Sequence, residues 1–69
     1  MKVEYDQDAD AAYMCLKDEE IKKGEVDHTL SMSNTVNLDF NKEDKLIGIE
    51  ILNVSKNLIK KEVVRNICN

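Results

Sequence analysis

The run from Asn37 to Leu52 most constrains what this chain can fold into, because its pattern specifies both a β-hairpin and the register of that hairpin. Side chains of an antiparallel pair alternate between two faces. With a two-residue turn at Glu43-Asp44, Lys42 lies opposite Lys45, Phe40 opposite Ile47, Leu38 opposite Ile49 and Val36 opposite Ile51. One face is then wholly apolar, while the other pairs Asn41 with Leu46, Asp39 with Gly48 and Asn37 with Glu50. A slip of one residue would mix Ile with Asn and Leu with Glu on both faces, so segregation selects this register. The turn wants a positive φ, where Gly or Asn is usual, and Asp44 serves there at some cost in strain.

The rest of the chain supplies partners for the hairpin. Val3 and Tyr5 alternate with Lys2 and Glu4 as in a half-buried first strand, and Asp6 to Asp10 supplies polar turn residues. Ala11 to Leu16 is apolar on both faces, which suits a central strand. Lys17 to Gly24 reads as a charged loop, and Val26, His28 and Leu30 alternate with Asp27 and Thr29 in a third strand. After the hairpin the period changes. Ser55 is placed to cap a helix in which Leu58, Ile59, Val63 and Ile67 recur at helical spacing, with Lys56, Lys60, Lys61 and Arg65 largely on the other side. The expected fold is α+β: a small antiparallel sheet of about four to five strands, a meander over about 2–52, with one C-terminal amphipathic helix over about 55–68. Residues 1–69 are expected to form a single domain, with no Pro and only Gly24 and Gly48 to interrupt it.

A chain of 69 residues buries little apolar surface. Such small folds commonly gain stability from a partner subunit, and a homodimer through the sheet face left open by one helix is the expectation. Cys15 and Cys68 are read as reduced thiols of a cytoplasmic protein, since two cysteines make no disulfide framework. No Cys/His cluster suggests zinc, and no cofactor is expected. Fourteen Asp and Glu against ten Lys and Arg give a net charge of −4, which disfavours binding to phosphate backbones. No apolar run approaches the ~18 residues that span a bilayer, and the first residues lack the apolar core of a signal peptide, so no membrane role is expected.

Two acidic patterns invite a metal reading. Asp6-x-Asp8-x-Asp10 imitates the opening of a calcium loop, but Ala11 stands where the loop needs Gly and Lys17 where it needs Glu. Asp6 and Asp10 are therefore read as turn caps whose carboxylates accept backbone N–H groups. The second pattern, from Asp39 through Asn41 and Glu43 to Glu50, also lacks that glycine. The derived register nevertheless makes Asp39 and Glu50 diagonal neighbours, with Asn37 opposite Glu50 and Gly48 opposite Asp39, leaving a shallow acidic notch. Diagonal positions are ~7–8 Å apart, close enough for two carboxylates to share a proton, a cation or a partner's arginine. Asn37, Asp39, Gly48 and Glu50 are thus the candidate binding residues. No catalytic residue is assigned, because there is no Gly-x-Ser-x-Gly elbow and His28 has no adjacent nucleophile.

Tyr5-Asp6-x-x-Ala9-Asp10-Ala11-x-Tyr13-x-x-Leu16, Val26-x-x-Thr29, Val36 to Phe40 and Leu46 to Leu52 with Ser55 resemble the small prokaryotic proteins of the domain of unknown function 2283 family. The resemblance spans roughly residues 2 to 58. The family tends to have Asp-Gly where Glu43-Asp44 stands and Ala where Val54 stands. It implies no established activity, and its association with toxin–antitoxin modules implies a protein-binding role. The expected function is a non-enzymatic protein-interaction module, antitoxin-like, with a basic protein partner. The alternative is a small hydrolase-like or cation-binding protein using Asp39 and Glu50.

Overall fold

The computed structural model describes residues 1–57. Five strands, β1 (Lys2–Asp6), β2 (Ala11–Cys15), β3 (His28–Ser31), β4 (Val36–Phe40) and β5 (Leu46–Ile51), precede a short helix, α1 (Val54–Asn57). All the pairings are antiparallel and the strand order is β1-β2-β5-β4-β3. Consecutive strands pair everywhere except at β2, whose second neighbour is β5. The segment between β2 and β3 therefore carries the chain to the far edge, from which β3, β4 and β5 return to the middle.

The registers align residues in rows across the whole sheet. Tyr5–Ala12–Ile51–Val36 and Val3–Met14–Ile49–Leu38–Leu30 form two apolar rows. Between them lies Glu4–Tyr13–Glu50–Asn37–Ser31, and next to it Lys2–Cys15–Gly48–Asp39–Thr29. Because successive residues alternate faces, the apolar rows share one face and the polar rows the other. Val54 closes the apolar side, buried with Ala12 and packed against Tyr5 and Ile51.

The hairpin register holds at four positions and changes at the turn. Val36 faces Ile51, Asn37 Glu50, Leu38 Ile49 and Asp39 Gly48, as derived, but Phe40 faces Leu46 instead of Ile47. The turn has three residues, Lys42 to Asp44: the Asn41 amide donates to Lys45 O at 3.0 Å, and Asp44 alone takes a positive φ, 61°. A two-residue turn would have placed Glu43 in the left-handed region as well, which is costly for a residue without Asn- or Gly-like tolerance. Asn41 fixes the longer turn, its Oδ1 accepting from the amides of Glu43 and Lys45, both at 3.0 Å. A bulge absorbs the extra residue: Ile47 has no counterpart on β4, and beyond it the pairing that segregates the faces resumes. Leu46 consequently joins the Phe40 side, correcting its expected place opposite Asn41.

The start of α1 also differs from expectation. Ser55 lies inside the helix, and the cap comes from Asp10, 45 residues away in sequence. Asp10 sits in the β1–β2 turn with φ 53°, accepts the Ser55 amide at 3.2 Å and the Ser55 hydroxyl at 2.7 Å, and takes the Tyr5 phenol at 2.8 Å. Its carbonyl accepts the Val54 amide at 3.1 Å. Asp6 is the plain turn cap expected of it, accepting the amides of Asp8 and Ala9 at 3.0 and 3.2 Å. An amphipathic helix reaching about residue 68 is not supported by the single described turn; Leu58, Ile59, Val63, Ile67, Lys60, Lys61 and Arg65 lie outside the described residues, as does Cys68.

Candidate functional site

Asn37, Asp39, Gly48 and Glu50 fall together on the polar face, in adjacent rows of β4 and β5. The notch expected above Gly48 is filled. The Tyr13 ring, carried in from β2, lies so closely over Gly48 that a Cβ there would stand 1.9 Å from its hydroxyl oxygen and 2.5 Å from the ring carbon bearing it. Gly48 is thus required by close approach, the usual reason for a glycine inside a strand. The phenol crosses β5 and donates to Asp39 Oδ2 at 2.7 Å, while Thr29 on β3 donates to Asp39 Oδ1 at 2.6 Å. In the next row, Asn37 Nδ2 donates to Glu50 Oε1 at 3.0 Å. Two sets of side-chain hydrogen bonds therefore cross the polar face: Tyr13–Asp39–Thr29 ties β2, β4 and β3, and Asn37–Glu50 ties β4 to β5.

Its electrostatics follow from this packing. Burial, the hydrogen bond to Asp39 and the neighbouring charges of Asp39, Cys15 and Glu50 push the Tyr13 phenol well above its ordinary pKa. Both Asp39 oxygens already accept a neutral hydroxyl, so this carboxylate works as a structural acceptor. Among the described residues, no group of three or more His, Cys, Asp and Glu is placed to hold a metal ion.

Beside the network, the polar face and the loop after β2 enclose a hollow of about 410 Å³, with Glu4, Tyr13 and Cys15 on one side and Asp18, Glu19 and Glu20 on another. Its two lysines are engaged: Lys2 pairs with Glu4 at 3.4 Å and Lys17 with Glu25. The Lys17 ammonium and then the Lys22 amide hold the Glu25 carboxyl below its usual range, so this tie is present at neutral pH and is lost as the pH falls. His28, on the edge strand β3, stacks on Phe40 with centroids 5.2 Å apart and lies between Asp27 and Asp44.

Residues 2–55 match the family described as Protein of unknown function (DUF2283). The chain belongs to the DUF2283 family. No curated protein and no solved structure matches it. The DUF2283 match covers both the Tyr13–Asp39–Gly48 cluster and the Tyr5–Asp10–Ser55 cluster.

Sequence reasoning missed Tyr13 and Thr29. Gly48 carried the signal for a close neighbour, but the neighbour comes from β2, whose pairing with β5 is non-local and has no hairpin pattern to announce it. No helix among the described residues is long and apolar enough to cross a membrane.

Proposed function

We propose that this DUF2283 protein is a non-enzymatic interaction module that engages a basic protein through the polar face of its sheet, in the manner of an antitoxin held against a basic target. One observation carries the reading: the Tyr13 phenol fills the space over Gly48 and occupies Asp39, leaving a network-stiffened surface where an acid–base centre would need room for substrate. The rim of that surface is acidic. Glu50, Asp18, Glu19 and Glu20 surround Tyr13 and Cys15 beside the Lys2–Glu4 pair, and a partner's lysine or arginine would lay its apolar stem on the phenol ring and its charge among the carboxylates. Lys60, Lys61 and Arg65, set against the single acid Glu62, lie past residue 57, so the described body is more acidic than the chain's −4.

The same packing counts against the hydrolase-like or cation-binding alternative, because the Tyr13 phenol takes the space over Gly48 and both Asp39 oxygens already accept hydroxyls, from Tyr13 and Thr29. The test compares capture of basic proteins from native lysate by wild-type protein and by a variant carrying Asp18→Asn, Glu19→Gln, Glu20→Gln and Glu50→Gln, at low and then moderate salt. A stoichiometric basic partner that the wild type retains, and that the variant and salt both release, is the expected result. Equal retention by both proteins would remove the polar face from the account.

A further inference from the structure

The two edges of the sheet are built differently. β1 presents Lys2, Glu4 and Asp6, all exposed and all charged, the usual protection against edge-to-edge pairing. Among the described residues β3 has no such protection: His28, Thr29, Leu30 and Ser31 are all exposed, none is an acid, lysine or arginine, and the chain continues into exposed Met32. Leu30 is 55% exposed and Met32 65%, on an edge where the acids Asp27 and Asp44 lie only beside its first residue, His28.

The hydrogen bonding of β3 shows which of its groups are free to pair. Met32 donates its amide to Val36 O at 2.9 Å, and Leu30 lies opposite Leu38. Peptide groups of a strand alternate in direction, so those of Thr29 and Ser31 point away from β4. We infer that a second copy of this chain pairs there, β3 against β3, joining two five-stranded sheets into one of ten strands about a two-fold axis.

The register follows from the residues. A two-fold perpendicular to the sheet keeps both apolar faces on one side, so Leu30 must meet an apolar-face residue of the other copy. Placing the axis at Leu30 sets Leu30 against Leu30, Thr29 against Ser31 in the hydrogen-bonded positions, and His28 against Met32. Asp27 then faces Ser33, and no like charges meet. Shifting the axis to Thr29 would put Asp27 inside the paired segment opposite Ser31. The dimer expected from the small core is thereby placed at a strand edge instead of on the open sheet face, and it leaves the Tyr13 surface accessible in both copies.

Light scattering of the full chain up to the millimolar range tests this. The expected mass is that of two chains at the upper concentrations, falling to one for Leu30→Lys and for Ser31→Pro, with melting curves close to wild type. Proline at residue 31 removes an outward N–H that the isolated sheet does not use, which an edge strand tolerates. Should Ser31→Pro fail to fold, Leu30→Lys and a cross-link decide. In a Cys15→Ser, Cys68→Ser background, Leu30→Cys should form an intermolecular disulfide on mild oxidation, since directly opposed residues in a non-hydrogen-bonded pair have Cα atoms ~4.5 Å apart. A wild type that stays monomeric throughout, a dimer that survives Leu30→Lys, or no cross-link at residue 30 would overturn the inference.

Discussion

Gly48 and Tyr13 are the residues on which the polar face turns. Gly48→Ala cannot be accommodated with the ring in place, so the phenol must swing away and lose Asp39. The expected destabilisation is roughly 1–3 kcal/mol, the scale of an overpacked site, read from urea unfolding. Combined with Tyr13→Ala, the same substitution should cost less than the sum of the two singles, because the clash is then absent. The phenol also has a pH signature. An unfolded chain titrates tyrosine near ~10, and the folded protein holds Tyr13 neutral above that. Stability tied to the neutral phenol is therefore complete below pH ~10 and is lost as the pH rises through the folded value. Absorbance titration of wild type against Tyr13→Phe isolates this phenol, and Asp39→Asn should bring its ionisation to lower pH by removing the facing charge. The glycine was legible as a point of close approach; the ring that approaches it was not, because nothing in a single strand's composition names its neighbour across the sheet.

At the scale of elements, one long-range cap holds the helix start against the first hairpin. Asp10 joins the first turn to α1 through Ser55 and to β1 through Tyr5. Asp10→Ala removes these acceptors and also a residue that tolerates φ 53°, so a loss of about 1–2 kcal/mol is expected, with Asp10→Asn less affected because it keeps both an acceptor and that tolerance. For a domain of this size, 1 kcal/mol corresponds to a melting shift of roughly 4–8 °C. Asp44 has φ 61° and a largely exposed side chain, so Asp44→Gly should stabilise by about 0.5 kcal/mol in the same assay. The hairpin register was readable because alternation assigns every residue to a face. Its turn was misread because a bulge at Ile47 lets a three-residue loop and the same downstream register coexist, and no pattern in the sequence distinguishes the two routes. The cap was misassigned to Ser55 for a related reason: a helix end can take its acceptor from any part of the fold.

For the molecule as a whole, the sheet separates its roles by face and edge. The apolar rows receive Val54, the polar rows carry the Tyr13 network with its acidic rim, and the exposed β3 edge with Leu30 lies beyond both. If the proposed docking holds, association with a basic partner should slow and weaken as salt rises, because its long-range attraction to the acidic rim is screened. The proposed docking is tested by the chemical-shift map of the isotope-labelled protein as any basic partner that the wild type retains in the capture experiment is added. Docking on the polar face puts the largest changes on Glu4, Tyr13, Asp39, Glu50 and the loop from Asp18 to Glu20. Changes confined to the apolar rows or to β1, with the Tyr13 network undisturbed, would contradict it.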